Sequence, residues 1–196
     1  MKSSIITKVD KMRYIGNKLN LLEFIYSVVS ENNISSGVFC DIFSGTTNVA
    51  KFFKEKGFTI ISNDFMTYSF VFQKAYIENN VLPHFLGLSK IISDPSLDRV
   101  LTHLNNLMGE KGFIYANFCV EGSKDSYQRN YFSVDNAQKI DVIRETIQLW
   151  RDTNKITNHE FYILLTALLE AVPSVSNIAG TYGAFLKTDD PRKFKP

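Results

Sequence analysis

Two carboxylates stand where a ligand could be held. Asp41 closes a short apolar run, Val38-Phe39-Cys40, and is followed by Ile42-Phe43-Ser44-Gly45-Thr46-Thr47; Asp64 closes a second run, Phe58 to Ser62, about 20 residues past that turn. A carboxylate at the end of the second strand of a parallel pair accepts hydrogen bonds from ribose hydroxyls, and the ligand in such sheets lies at the carboxyl ends of the strands. Which adenosine ligand fits follows from what the turn lacks. Pyrophosphate binding needs a glycine-rich loop such as G-x-G-x-x-G, or a phosphate loop ending in Gly-Lys-Ser/Thr, and the sequence contains neither at this turn. S-Adenosylmethionine has no phosphate and carries an ammonium and a sulfonium, so an acid at the start of the turn suits it electrostatically. A single glycine-containing turn with a nearby aspartate also occurs in α/β folds that bind no such ligand. Both readings stand on this segment alone.

The elements around the turn decide whether these residues can converge. Leu21, Leu22, Ile25, Val28 and Val29 lie on one face of a helix after Gly16-Asn17, and residues 1–12 show no sustained periodicity. Val38 to Phe43 reads as a buried strand. Val49, Phe52 and Phe53 give the next helix its face and Gly57 its end, and Phe58 to Ser62 reads as a second buried strand. Strand, turn, helix and strand in that order form a βαβ unit with a parallel sheet. A third helix is expected from Tyr68 to about Asn80. Beyond it the pattern turns mainly helical. Asp94-Pro95 offers a cap and a first-turn proline for a helix bearing Leu97, Val100, Leu101, Leu104 and Met108. Ser133 precedes a helix with Ile140, Ile143, Ile147 and Trp150 on one side. Thr157 to Glu160 has the form of a capping box opening a helix with Phe161, Leu164, Leu165 and Leu168, ended near Pro173.

Composition narrows the remaining choices. In 196 residues with 44% apolar content there is enough material for one core and a smaller satellite. No run approaches the roughly 20 apolar residues of a membrane span, and no secretory leader is visible, so a cytoplasmic protein without membrane association is expected. Cys40 and Cys119 lack partners at metal-ligand spacing and read as reduced core residues, with no metal site expected. A net charge of +2 announces no nucleic-acid binder, although Lys187, Arg192, Lys193 and Lys195 gather near the end.

Arg13-Tyr14-Ile15-Gly16-Asn17-Lys18, then Asp41-Ile42-Phe43-Ser44-Gly45-Thr46, then Ser62-Asn63-Asp64 follow one another in an order that resembles the Dam-like class of N6-adenine DNA methyltransferases, the modification methylases of restriction systems. Asn130-Tyr131-Phe132-Ser133, Leu168-Leu169-Glu170-Ala171 and Gly180-Thr181-Tyr182-Gly183-Ala184-Phe185-Leu186-Lys187 extend the resemblance to about residue 193. It implies an α/β fold: part of a Rossmann-like methyltransferase sheet with a mainly helical target-recognition region. The implied layout is a cofactor half over 1–80, a DNA-recognition region over 81–180, and a return toward the catalytic domain over 181–196. It further implies S-adenosylmethionine as cofactor, with Tyr14 and Lys18 closing the pocket, Asp41, Phe43, Ser44 and Gly45 shaping its methionine end, and Asp64 holding the ribose. Without the resemblance, Lys18 reads equally as a solvated lysine and Tyr14 as a core aromatic. Double-stranded DNA is the implied partner, with Arg129, Tyr131 and Lys187 as contacts; each reads alternatively as a surface residue or core aromatic. Where many members carry a second glycine, this chain has Thr47, which either crowds the cofactor or caps the next helix.

One expected motif is absent. The group uses Asp/Asn-Pro-Pro-Tyr/Phe/Trp to bind the amino group of a flipped-out adenine. Asp94-Pro95-Ser96 and Asp190-Pro191-Arg192 share only Asp-Pro with it. No catalytic residue is therefore assigned. The expectation is a fragment, or one part of a split enzyme whose second polypeptide carries that motif, inactive alone. The alternatives are a catalytically dead DNA- or RNA-binding relative, and a small-molecule or RNA methyltransferase.

Overall fold

The computed structural model describes residues 16–123, 128–179 and 183–195. Tyr14, residues 1–12 and the stretch Gly180 to Tyr182 lie outside them. The chain divides into two compact units, one within Tyr14–Val81 and one within Leu82–Pro196.

In the first unit, a 3-10 turn at Leu19–Leu21 leads into helix α1 (Leu22–Glu31). Strand β1 (Val38–Asp41), helix α2 (Asn48–Glu55) and strand β2 (Thr59–Ser62) then form the expected βαβ unit. The strands pair in parallel, with Phe39 opposite Ile60 and Asp41 opposite Ser62. Phe39 stacks on Phe53 of α2 at 3.8 Å between ring centroids, and Phe58 and Phe52 meet Phe53 edge-on. Phe53 is wholly buried, and this aromatic cluster fastens the helix to the sheet. Tyr26 of α1 joins it, edge-on to Phe52 and Phe53.

The expectation of two fully buried strands is corrected by the opposite face of the same sheet. Val38 is 65% exposed and Ile61 56%, and Cys40 between them is exposed rather than part of a core. Side chains alternate across a strand, so covering one side of the sheet buries only the Phe39–Ile60 face. Along α1 the predicted apolar face is likewise incompletely covered, since Leu21 and Val28 are exposed. After β2, helix α3 (Thr67–Phe72) passes directly into a π-helical stretch, Gln73–Glu78, where one continuous α-helix was expected.

The second unit is helical, as its sequence indicates. Helix α6 (Val134–Asp152) is its spine, packed against α4 (Leu97–Asn105), α5 (Phe113–Phe118) and α7 (Asn158–Ala171). Ile140, Ile143, Ile147 and Trp150 are all buried, as their spacing predicts. Ser133 caps α6 by accepting from the Asn136 N–H, and the Thr157–Glu160 capping box is fully formed. The start of α4 differs from expectation. Asp94 lies at φ +50° and Ser96 occupies the cap position, so Pro95 precedes the helix and Met108 falls beyond its end.

Helix α5 is held from α6. The Asp141 carboxylate is 0% exposed and accepts backbone N–H groups from Gly112 (3.1 Å), Ile114 (2.8 Å) and Tyr115 (2.8 Å). It thereby satisfies the orphan donors at the start of α5. The segment 183–195 packs within this unit. Asn177, fully buried, donates to the carbonyls of Asn130 and Leu186 and accepts from Asp190 N–H, while Asn136 donates to the carbonyls of Lys193 and Lys195. Asn136 is thus structural, tying the start of α6 to the end of the described chain. Among the described residues no helix is long and apolar enough to cross a membrane.

Candidate functional site

Of the described candidates, Asp41, Phe43, Ser44, Gly45 and Asp64 lie at the carboxyl ends of β1 and β2, with the Lys18 charge acting on Asp41; Tyr14 lies outside the described residues. Asp41 is the last residue of β1, and its carbonyl accepts from Asn63 N–H at 2.9 Å, which aligns the two strand ends. The chain then turns through Ile42 to Thr46. Ser44 N–H donates to the Asn63 carbonyl (3.0 Å), and Gly45 N–H donates to Asp64 Oδ2 (2.8 Å). The other oxygen of Asp64 accepts from Met66 N–H at 2.9 Å. The carboxylate expected to meet a ribose therefore also clamps the turn to the end of β2. Each of its oxygens has a second lone-pair direction free for a further donor.

Asp41 has a different environment. Its Oδ2 is buried and, among the described residues, has no hydrogen-bond partner. Burial pushes its carboxyl above the usual aspartate range, opposed by the positive charge of Lys18 and the nearby N–H groups of Phe43 and Ala50, and reinforced by Asp64. A buried carboxylate oxygen without a donor is unstable unless a cation or donor arrives. The α-ammonium of an amino acid is such a group, so the residues present fit the methionine end of S-adenosylmethionine.

Gly45 lies at φ +49° and Thr47 at φ +61°. Thr47 is β-branched in the left-handed region, a strain of about 1–2 kcal/mol that glycine would avoid. It stands at the cap position of α2, but its hydroxyl donates to the Thr46 carbonyl (2.7 Å) rather than accepting from the helix. Its backbone carbonyl, in turn, accepts from Lys51 N–H. Asn17, in the segment leading to α1, accepts from Asn48 at 3.0 Å, and Asn48 donates also to Thr46 Oγ1. This bond ties the segment containing Lys18 to the start of α2.

Several residues of the site escape sequence reasoning. Phe65 follows Asp64 and is 98% exposed; with Phe43, 80% exposed after Asp41, it sets an aromatic beside each acid. An aromatic directly after a strand-ending acid is a sequence signal that points to Phe65. No comparable signal marks Ser69 and Gln73, whose side chains reach the turn from α3 and the π-helical stretch.

In the second unit the three candidates separate. Lys187 is exposed, and Arg129 is half-buried with its guanidinium donating to the Asn117 carbonyl at 3.4 Å. Tyr131 is 9% exposed, its ring edge-on to Phe118 (5.5 Å) and Phe185 (5.3 Å). It is a core aromatic rather than an exposed stacking surface, because little of it reaches solvent and both neighbouring rings pack against it. Among the described residues no cluster of histidine, cysteine, aspartate and glutamate could hold a metal ion.

Known proteins resemble the chain over nearly its whole length. The family model for D12 class N6 adenine-specific DNA methyltransferases matches residues 14–195. Type II methyltransferase M.FokI of Planomicrobium okeanokoites is 43% identical over 186 residues, covering 92% of this chain and 27% of that protein. Modification methylase StsI of Streptococcus sanguinis is 43% identical over 183 residues, with the same shares. Type II methyltransferase M.NlaIII of Neisseria lactamica is 37% identical over 188 residues, 94% of this chain and 52% of that protein. The chain thus spans from about a quarter to about half the length of these relatives. No solved structure matches it.

Proposed function

The chain belongs to the D12 class of N6 adenine-specific DNA methyltransferases, and on that premise we propose that it forms the S-adenosylmethionine-binding and DNA-reading part of an enzyme that methylates adenine N6 in duplex DNA. The buried Oδ2 of Asp41, without a hydrogen-bond partner among the described residues, carries the cofactor assignment. Asp41 receives the ammonium of the methionine end, Ser44 and Gly45 line that end, Asp64 accepts from the ribose, and Phe65 offers the base an apolar face. Lys18, and Tyr14 from outside the described residues, close the pocket over it. Bound there, S-adenosylmethionine supplies the methyl group. On the DNA, Arg129 and Lys187 contact the phosphate backbone or guanine edges.

The groups that bind the adenine amino group come from a segment outside these 196 residues, which contain no Asp/Asn-Pro-Pro-aromatic sequence. The exposed apolar face of the two-stranded sheet supports this assignment. Parallel strands are stable when both faces are covered, and Val38, Cys40 and Ile61 are available to further elements of the same domain, carried either on a longer form of this polypeptide or on a second one. Transfer of a labelled methyl group to duplex DNA tests the reading. The chain alone is expected to give none, and addition of a polypeptide bearing the missing motif is expected to restore it. Cofactor and DNA binding without transfer under any such addition would favour a binding-only relative instead.

A further inference from the structure

The turn that shapes the methionine end is held on its inner side by a network that the known chemistry leaves unassigned. Gln73 Nε2 donates to Ser44 Oγ at 2.9 Å and to Ser69 Oγ at 3.2 Å, and the two hydroxyls lie 3.3 Å apart. Ser44 and Ser69 are both buried. Gln73 is the first residue of the π-helical stretch, and such stretches recur at functional sites because they re-aim a side chain. From α2, Lys54 Nζ fixes the far end of the stretch, donating to the carbonyls of Tyr76 (2.8 Å), Ile77 (2.7 Å) and Asn79 (2.7 Å).

We propose that Gln73 is a positioning residue for the amino-acid end of the cofactor, acting through the Ser44 hydroxyl. An amide nitrogen can only donate, so Ser44 Oγ serves Gln73 as an acceptor, and its own proton goes either to Ser69 Oγ at 3.3 Å or to an acceptor that a ligand brings. Within the turn that acceptor is the carboxylate of a bound α-amino acid group, on the side of the site where Asp41 awaits the ammonium. Gln73 and Asp41 thereby sort the two charged groups of the methionine end. A ligand that lacks this end gains nothing from Gln73.

This inference rests on reading the turn as an S-adenosylmethionine site, and the two can fail separately. Calorimetry on the full chain would compare S-adenosylhomocysteine with 5′-methylthioadenosine, which keeps the adenosine and lacks the amino-acid end. Gln73→Glu keeps the size of the side chain but presents an acceptor that captures the Ser44 proton. It is expected to weaken S-adenosylhomocysteine about 10-fold or more and to leave 5′-methylthioadenosine within about 2-fold. Ser69→Ala removes one buried oxygen from the same network and is the second variant should Gln73→Glu fail to fold; the same split in smaller measure is expected. Equal weakening of both ligands, or of neither, would overturn the positioning role. Binding of neither ligand by the unaltered chain would overturn the reading of the site itself.

Discussion

Replacing Asp64 should separate two roles that its carboxylate combines. In Asp64→Ala, Gly45 N–H and Met66 N–H both lose their acceptor, at 2.8 Å and 2.9 Å. Hydrogen bonds to a charged group contribute about 1.5–3 kcal/mol when shielded. Asp64 is only half-buried, so solvent screening brings each bond to about 1 kcal/mol and the pair to about 2 kcal/mol. In a chain of this size that lowers the melting temperature by roughly 4–8 °C. Asp64→Asn keeps one acceptor oxygen and sets an amide N–H against the other donor, so roughly half of that loss should return. Cofactor affinity should not return with it, because an amide oxygen engaged by the turn is a poor acceptor for ribose hydroxyls; a drop of about 10- to 100-fold is expected. Thermal melting and calorimetric titration on the same samples read both quantities. An Asp64→Ala protein melting within about 1 °C of the unaltered chain would refute the clamp, and an Asp64→Asn protein with unchanged affinity would refute the ribose assignment.

Two further outcomes follow from groups already described. Asp141→Ala strands three N–H groups at the start of α5 and should lower stability by about 3–4 kcal/mol, with Asp141→Asn intermediate; an unchanged urea midpoint would contradict the anchoring role. Because burial raises the Asp41 carboxyl, this group contributes least to stability above its folded pKa and recovers as pH falls through that value toward its ordinary one. A cation beside it favours the ionised form, so affinity for S-adenosylmethionine should rise with pH through the same range and binding should release a proton there. Titrations between about pH 4 and pH 8 check this, and a flat profile, or the same slope in Asp41→Asn, would refute it.

Much of this arrangement was legible in the sequence where one physical signal dominated. The apolar spacing of Ile140, Ile143, Ile147 and Trp150, the Thr157–Glu160 box and the strand–turn–helix–strand order around Ser44 each needed only local rules. The burial of Val38 and Ile61 was misjudged because an apolar run does not reveal how many of its faces find a partner. The same blindness to tertiary neighbours left Tyr131 among the DNA contacts, although its ring is enclosed by Phe118 and Phe185. Asp94 failed as a helix cap because its backbone is left-handed, a conformation that an Asp-Pro pair does not announce. Ser69 and Gln73 were invisible for a further reason. They reach the turn from α3 and from the π-helical stretch that follows it, whose far end is held by Lys54, about 20 residues earlier in the chain.

The most direct test of the account is a calorimetric titration of S-adenosylmethionine into the unaltered chain and into Asp41→Asn. One site per chain in the former, weakened about 30-fold in the latter through loss of a charge-assisted contact, is the predicted result. Binding that is equally tight in both, or absent from the unaltered chain, would contradict the assignment of the buried Asp41 oxygen to the cofactor.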